Sequence, residues 1–191
     1  MRCPIHLLYN LNPTETAVKL LSTVNTKIRK GESLGYLTFG LSLAPSWLSG
    51  FNTCAMASEG CAAACLNTAG MGKFSNVQAA RIAKTRWFFE AREAFMAQLV
   101  KDVKAAIRKA EKLGMVPVFR LNVVSDIVWE KVEVGGFRNI MEMFPTVQFY
   151  DYSKRPNRTD LPPNYHLTFS RLCIYCAKQF HSSLRWVEVI H

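Results

Sequence analysis

Three cysteines, Cys54, Cys61 and Cys65, lie close together in "TCAMASEGCAAACLNTAG", residues 53–70. Their spacing is C-x6-C-x3-C. Thiolates are soft ligands that suit zinc, copper(I) or iron–sulfur centres. Three on one loop can hold three corners of a four-iron cluster and leave one iron open. A closed zinc site needs a fourth ligand, which would come from Cys173 or Cys176 of "CIYC". The competing readings are a disulfide and plain packing, since a free cysteine also behaves as a small apolar residue. "CIYC" alone is half a zinc site, a redox pair or two incidental thiols.

Two further stretches carry polar groups at useful spacings. "RLNVVSD" offers Arg120, Asn122, Ser125 and Asp126. Arginine and asparagine anchor phosphate or carboxylate groups, and an aspartate accepts from a hydroxyl or an amine. "FYDYSKR" offers Tyr150, Asp151, Tyr152, Lys154 and Arg155, a mixture suited to stacking and phosphate contacts. The bland alternatives are a capped turn and a solvated loop. Basic residues recur in two blocks, first Arg81, Lys84, Arg86 and Arg92, then Lys101, Lys104, Arg108, Lys109 and Lys112. They suggest either a nucleic-acid surface or, more commonly, a charged outer helix face. No phosphate-binding glycine fingerprint, H-E-x-x-H motif or nucleic-acid-binding module is present.

These residues need elements to hold them. "NPTETAVKLLSTVNTKIRKG" has helical spacing, with Thr14 as its cap and Gly31 as its stop. Residues 36–43 alternate as a strand, ended by Pro45. A long loop, 44–73, carries the cysteines; loops of that length are usually functional or disordered. Residues 75–114 give the strongest helical pattern, with Phe88, Phe95, Leu99, Val103, Ile107 and Ala110 on one face. Ser75 and Gly114 would bound it, and its length implies two helices broken near 89–91. Strands follow at 115–121, 146–150 and 165–169, with a short helix at "GFRNIMEMF".

The order β, loop, α, β, α, β, loop, β predicts an α/β fold of parallel strands with crossover helices, a partial (β/α) barrel in character. In such folds chemistry gathers beyond the carboxyl ends of the strands. The cysteine loop, "RLNVVSD" and "DYSK" all fall there. The chain reads as one α/β domain over 1–170 and a tail over 171–191.

Composition fits this reading. The chain has 191 residues, 49% hydrophobic and 20% charged, which is globular and not disordered. A net charge of +10 favours a polyanionic partner. No apolar run reaches the ~20 residues of a membrane span, and the start lacks a signal-peptide pattern. Six cysteines without a signal fit a reducing cytosol, where a tight cluster points to metal before disulfide. The partner is then a small molecule or a nucleic acid, with no membrane.

Taken in order, "LSLAPSWLSGFNTCAMASEGCAAACLNTAG", "QAARIAKTRWFF", "RLNVVSDIVWE", "FYDYSK" and "NYHLTFS" resemble a bacteriophage family, the gene product eighty-eight family, over roughly 30–170. The matched positions are Cys54, Cys61, Cys65, Arg81, Lys84, Arg120, Asn122, Ser125, Asp126, Tyr150, Asp151 and Lys154. Val123 and Val124 stand where the resemblance implies Gly-Thr, and Ala55 where it implies Pro. The tail after residue 170 departs from the family pattern and would leave the sheet short of its last unit. A more distant similarity links the loop to radical S-adenosylmethionine proteins, which implies an iron–sulfur cluster and that second ligand. Their cysteines are spaced C-x3-C-x2-C, so the difference here bears on S-adenosylmethionine more than on a cluster. The alternative is a zinc-stapled, basic nucleic-acid-binding protein.

Overall fold

The computed structural model describes residues 18–23, 29–63, 65, 67 and 69–170. Its frame is a five-stranded sheet in the order β1 (Leu21–Ser22), β2 (Tyr36–Leu41), β3 (Val116–Arg120), β4 (Gln148–Ser153) and β5 (Tyr165–Phe169). Strands β2 to β5 are parallel, and β1 pairs antiparallel with β2. Each parallel strand lies beside its predecessor, without the reversal of a doubly wound sheet. This is the stepping order of a (β/α) barrel, laid out here as an open sheet among the described residues.

Register decides which side chains share a face. Phe39 pairs with Phe119, Phe119 with Phe149 and Phe149 with Tyr165, so one aromatic row crosses four strands. The Phe39 and Phe119 ring centroids lie 5.5 Å apart, those of Phe119 and Phe149 5.4 Å. This face is buried in the main core with helix residues Phe88, Phe95, Leu99 and Val103. By strand alternation the opposite face carries Thr38, Arg120, Tyr150, Tyr152 and His166, and Tyr152 and His166 are exposed.

The helices sit where the periodicity puts them. Helix α2 spans Ser75–Glu90 and α3 spans Arg92–Lys112, and the break falls at Ala91, whose backbone leaves the helical region. Buried Phe95, Met96, Leu99, Val103, Ala106 and Ala110 form the stripe of α3 that faces the sheet. Gly114, at φ +64°, ends it in the left-handed conformation that glycine adopts without a Cβ clash. The cap of α2 differs from expectation. Phe74 occupies the N-cap with no side-chain bond, and Ser75 is the first helical residue. "GFRNIMEMF" yields only α4, Ile140–Met143, capped by Asn139 accepting from the Glu142 N–H.

The expected first helix is overturned where it can be seen. Leu21–Ser22 is strand, and Arg29–Leu34 is a 3-10 turn that contains Gly31. The reason is tertiary. Asp102 of α3 accepts from the Leu20 N–H at 2.6 Å and the Leu21 N–H at 3.2 Å, which fixes that segment against α3 and beside β2. Thr14 lies outside the described residues, as do Cys173 and Cys176. Loop 44–73 is not structureless: it holds α1 (Glu59–Ala63) and a 3-10 turn at Gly70–Lys73.

Candidate functional site

The cysteine loop is tied down at its root by hydroxyl and backbone bonds. The Thr53 hydroxyl donates to the Ala44 carbonyl at 2.6 Å, and the Ala44 N–H donates to the Thr85 hydroxyl of α2 at 2.7 Å. The Asp126 N–H donates to the Thr53 carbonyl at 2.8 Å, which joins the loop to the segment after β3. Cys54 follows directly. Its thiol points at the Val124 carbonyl, 3.8 Å away, and lies 3.7 Å from the Thr53 hydroxyl. Burial pushes the Cys54 thiol above its ordinary pKa, and the nearby Asp126 and Cys65 push the same way.

Cys61 lies in α1, and its N–H donates to the hydroxyl of Ser58 at 3.2 Å. The sulfur of Cys65 accepts from the Asn67 N–H at 3.5 Å. Arg81 joins this corner through Nη1, which donates to Asn67 Oδ1 at 2.7 Å, and its charge acts on Cys65. All three cysteines are half-buried thiols. The loop therefore brings Cys65 into electrostatic range of Cys54 and of the Arg81 guanidinium.

Among the described residues, no group of three or more His, Cys, Asp and Glu side chains is gathered closely enough to hold a metal ion.

"RLNVVSD" folds on itself around Asn122. Its Oδ1 accepts from the Ser125 hydroxyl (3.0 Å), the Ile127 N–H (2.9 Å) and the Trp129 indole (3.1 Å). Its Nδ2 donates to the Ile127 carbonyl at 2.9 Å. Asn122 and Ser125 thus shape the strand-end turn. Asp126 accepts from the Ser153 hydroxyl at 2.7 Å and the Lys154 N–H at 3.0 Å, and so ties the ends of β3 and β4 together. Asp151 is wholly buried, accepting from the Asn122 N–H at 2.7 Å and the Tyr165 hydroxyl at 3.1 Å. Burial raises its pKa to about 7.

On the other face the Arg120 guanidinium lies 4.9 Å from the Tyr152 ring centroid. Burial pushes the phenol of Tyr150 up, against the Arg120 charge and a hydrogen bond with Thr38. Lys154 Nζ donates to the Ser170 carbonyl at 3.3 Å.

A family model of gene product 88 matches residues 19–183 of this chain. The chain belongs to the gene product 88 family. No curated protein matches it, and no solved structure does. The match is wider than the motifs suggested at both ends, and it runs into the tail expected to depart from the pattern.

The gene product 88 motifs thus share one end of the sheet: the cysteine loop after β2, "RLNVVSD" after β3 and "DYSK" at the end of β4. Val123 and Val124 serve the seam between them. The Val123 N–H donates to the Leu41 carbonyl at 3.2 Å, and the Val124 carbonyl faces the Cys54 thiol.

The first basic block meets the charged-face expectation only in part: Arg86 and Arg92 are exposed, Arg81 and Lys84 half-buried. Lys84 donates to the Leu20 carbonyl, Arg86 to the Ser49 carbonyl, and Arg92 lies over the Phe88 ring at 4.4 Å. Lys101, Lys104, Arg108, Lys109 and Lys112 do form an exposed face on α3.

Sequence reasoning missed the buried ion pair beneath this rim. Arg158 Nε donates to Glu130 Oε1 at 2.8 Å, Arg158 Nη2 bonds Glu130 Oε2, and Nη1 lies 3.7 Å from Asp126. The faint signal was the second arginine of "RPNRTD" and a lone glutamate in "VWEK", neither placed in a pattern that would make it stand out.

Proposed function

We propose that this gene product 88 protein binds an iron–sulfur cluster through Cys54, Cys61 and Cys65, with substrate received at the carboxyl rim of the sheet. The observation that carries the reading is the anchoring of the thiol loop. Bonds from Thr53 and Asp126 hold Cys54 against the strand ends, Cys65 lies within its electrostatic range, and Arg81 lies within that of Cys65. Such a cluster supplies electron transfer or an open iron as a Lewis acid.

The chain's own residues would tune it. Arg81 would offset thiolate charge, while the Asn67 N–H donates to the Cys65 sulfur. Arg120, Tyr150 and Lys154 line the rim at which substrate would enter, over the turn built by Asn122, Ser125 and Asp126. The C-x6-C-x3-C spacing carries no argument for S-adenosylmethionine, so the proposal stops at the cluster.

Anaerobic purification and reconstitution test it, followed by iron and sulfide analysis and an absorption spectrum. Near-stoichiometric sulfide and a broad band around 400 nm are the expected result, lost in Cys65→Ser. A colourless anaerobic protein without iron sinks the reading. One equivalent of zinc, lost on Cys176→Ser, would point instead to a zinc-stapled loop.

A further inference from the structure

The sheet face turned away from α2 and α3 carries rows of its own. Tyr150 pairs with His166. The β3–β4 register, Val118 with Gln148 and Phe119 with Phe149, sets Arg120 beside Tyr150. Arg120, Tyr150 and His166 therefore stand side by side on three strands, about 4.8 Å from one strand to the next. Tyr152 and Thr168 pair in the following row, on the same face.

These side chains interact with one another. The Arg120 guanidinium lies 4.9 Å from the Tyr152 ring centroid. Its charge also acts on Tyr150, which shares a hydrogen bond with Thr38 of β2. The β2 margin of the face is covered. The 3-10 turn Arg29–Leu34 lies there, where a Cβ on Gly31 would stand 3.2 Å from the Tyr36 Cβ, and Thr38 is buried. The β4–β5 half is open: Tyr152 is 46% exposed, and His166 and Gln148 are exposed.

Rings held open to solvent on a sheet are a stacking platform. Every nucleobase has a π-face, so such rings accept bases of any sequence, and a nearby guanidinium adds attraction for the strand. Sheets of RNA-binding domains stack two or three bases on aromatic side chains in this way. Charge agrees. None of the side chains that β2 to β5 place on this face is acidic, since Asp151 alternates to the helix side. The whole chain carries +10. A second copy would bring the same positive charge to a polar row, whereas a single strand brings bases and phosphates together. Rings open to solvent also suit a chain laid across them better than an enclosed small molecule.

We infer that the open face of β4 and β5 binds single-stranded nucleic acid, with bases stacked on Tyr152 and His166 and Arg120 holding the Tyr152 ring. This inference uses no cysteine and stands with or without a cluster.

Fluorescence anisotropy of the full chain at low salt tests it, with labelled oligothymidylate and oligouridylate as probes and a DNA duplex as competitor. Both single strands bind, affinity falls as salt rises, and the duplex competes at least about tenfold more weakly. Tyr152→Ala and His166→Ala each weaken binding by about fivefold to 150-fold, the range expected for one lost stack. Tyr152→Phe keeps the ring and stays within about twofold of wild type. It also covers the case in which alanine fails to fold. Arg108→Gln, on the exposed face of α3, and Cys61→Ser stay within the same margin of about twofold.

Four results would each overturn the inference. They are no anisotropy change with either strand, a duplex that competes as well as the single strands, Tyr152→Phe losing as much as Tyr152→Ala, and Arg108→Gln or Cys61→Ser losing as much as the ring variants.

Discussion

Replacing Asp151 with asparagine should remove a pH dependence that the wild-type fold carries. Asp151 has no exposed surface, and burial raises its pKa from 3.8 to about 7. The folded state therefore binds a proton more tightly than the unfolded chain does. Stability from this group is fully present below the unfolded pKa and is lost as pH rises through the folded one. Between pH 5 and pH 8 the loss is about 2–3 kcal/mol, from roughly two pH units of differential protonation at 1.36 kcal/mol each. Asparagine keeps the shape: its oxygen can accept from the Asn122 N–H, and its amide can donate to the Tyr165 hydroxyl in place of the present bond. Urea unfolding of both proteins at pH 5, 6, 7 and 8 gives the comparison. The wild type should lose about 2–3 kcal/mol relative to Asp151→Asn across that range. Parallel curves would refute the reasoning, and so would a wild type that gains relative stability with pH. Either would mean that Arg120 and Arg158 hold the carboxylate ionised despite its burial.

Other outcomes follow from the same geometry. Asn122→Ala strands the Ile127 N–H, the Trp129 indole and the Ser125 hydroxyl, and should cost about 3 kcal/mol or more in urea unfolding. Arg158→Met leaves Glu130 buried and unpaired and should cost about 3–5 kcal/mol, while the double variant with Glu130→Gln should recover part of it. Thr85→Val removes the acceptor of the Ala44 N–H and should lower stability by about 1–2 kcal/mol. It should also raise alkylation of Cys54, read by mass spectrometry, because Ala44 in turn holds Thr53.

Much of the scaffold was legible because it rests on local periodicity. The apolar stripe of α3, its glycine stop and the break before it follow from residues within a few turns of each other. The β5 strand, Tyr165–Phe169, has the bounds its alternation indicates. Leu20 and Leu21 were misread because their spacing also fits a helix, and the deciding partner, Asp102, lies 82 and 81 positions away. The Glu130–Arg158 pair was invisible for the same reason, since its members sit 28 positions apart in irregular segments. The polar clusters could be assigned to the strand ends from sequence. Which of their groups turn inward could not, because Asn122 and Asp126 are committed by partners that only the assembled sheet supplies.

Strand register also orders the assembly in time. Pairing of β4 with β5 joins Phe149 to Tyr165, and pairing of β3 with β4 joins Val118 to Gln148. Pairing of β2 with β3 must bring Tyr36 to Val116, a far longer excursion. Loop-closure entropy makes that last step costlier by about 1.4 kcal/mol than the β4–β5 step. The thiol loop lies inside the longest excursion, so its cysteines stay open to solvent while the β3–β5 half of the sheet is already paired. Pulsed alkylation during refolding would then find Cys54 reactive after the β4 amides have become protected from exchange. In that interval Cys54 lacks the bonds from Thr53 and Asp126 that later hold it against the strand ends.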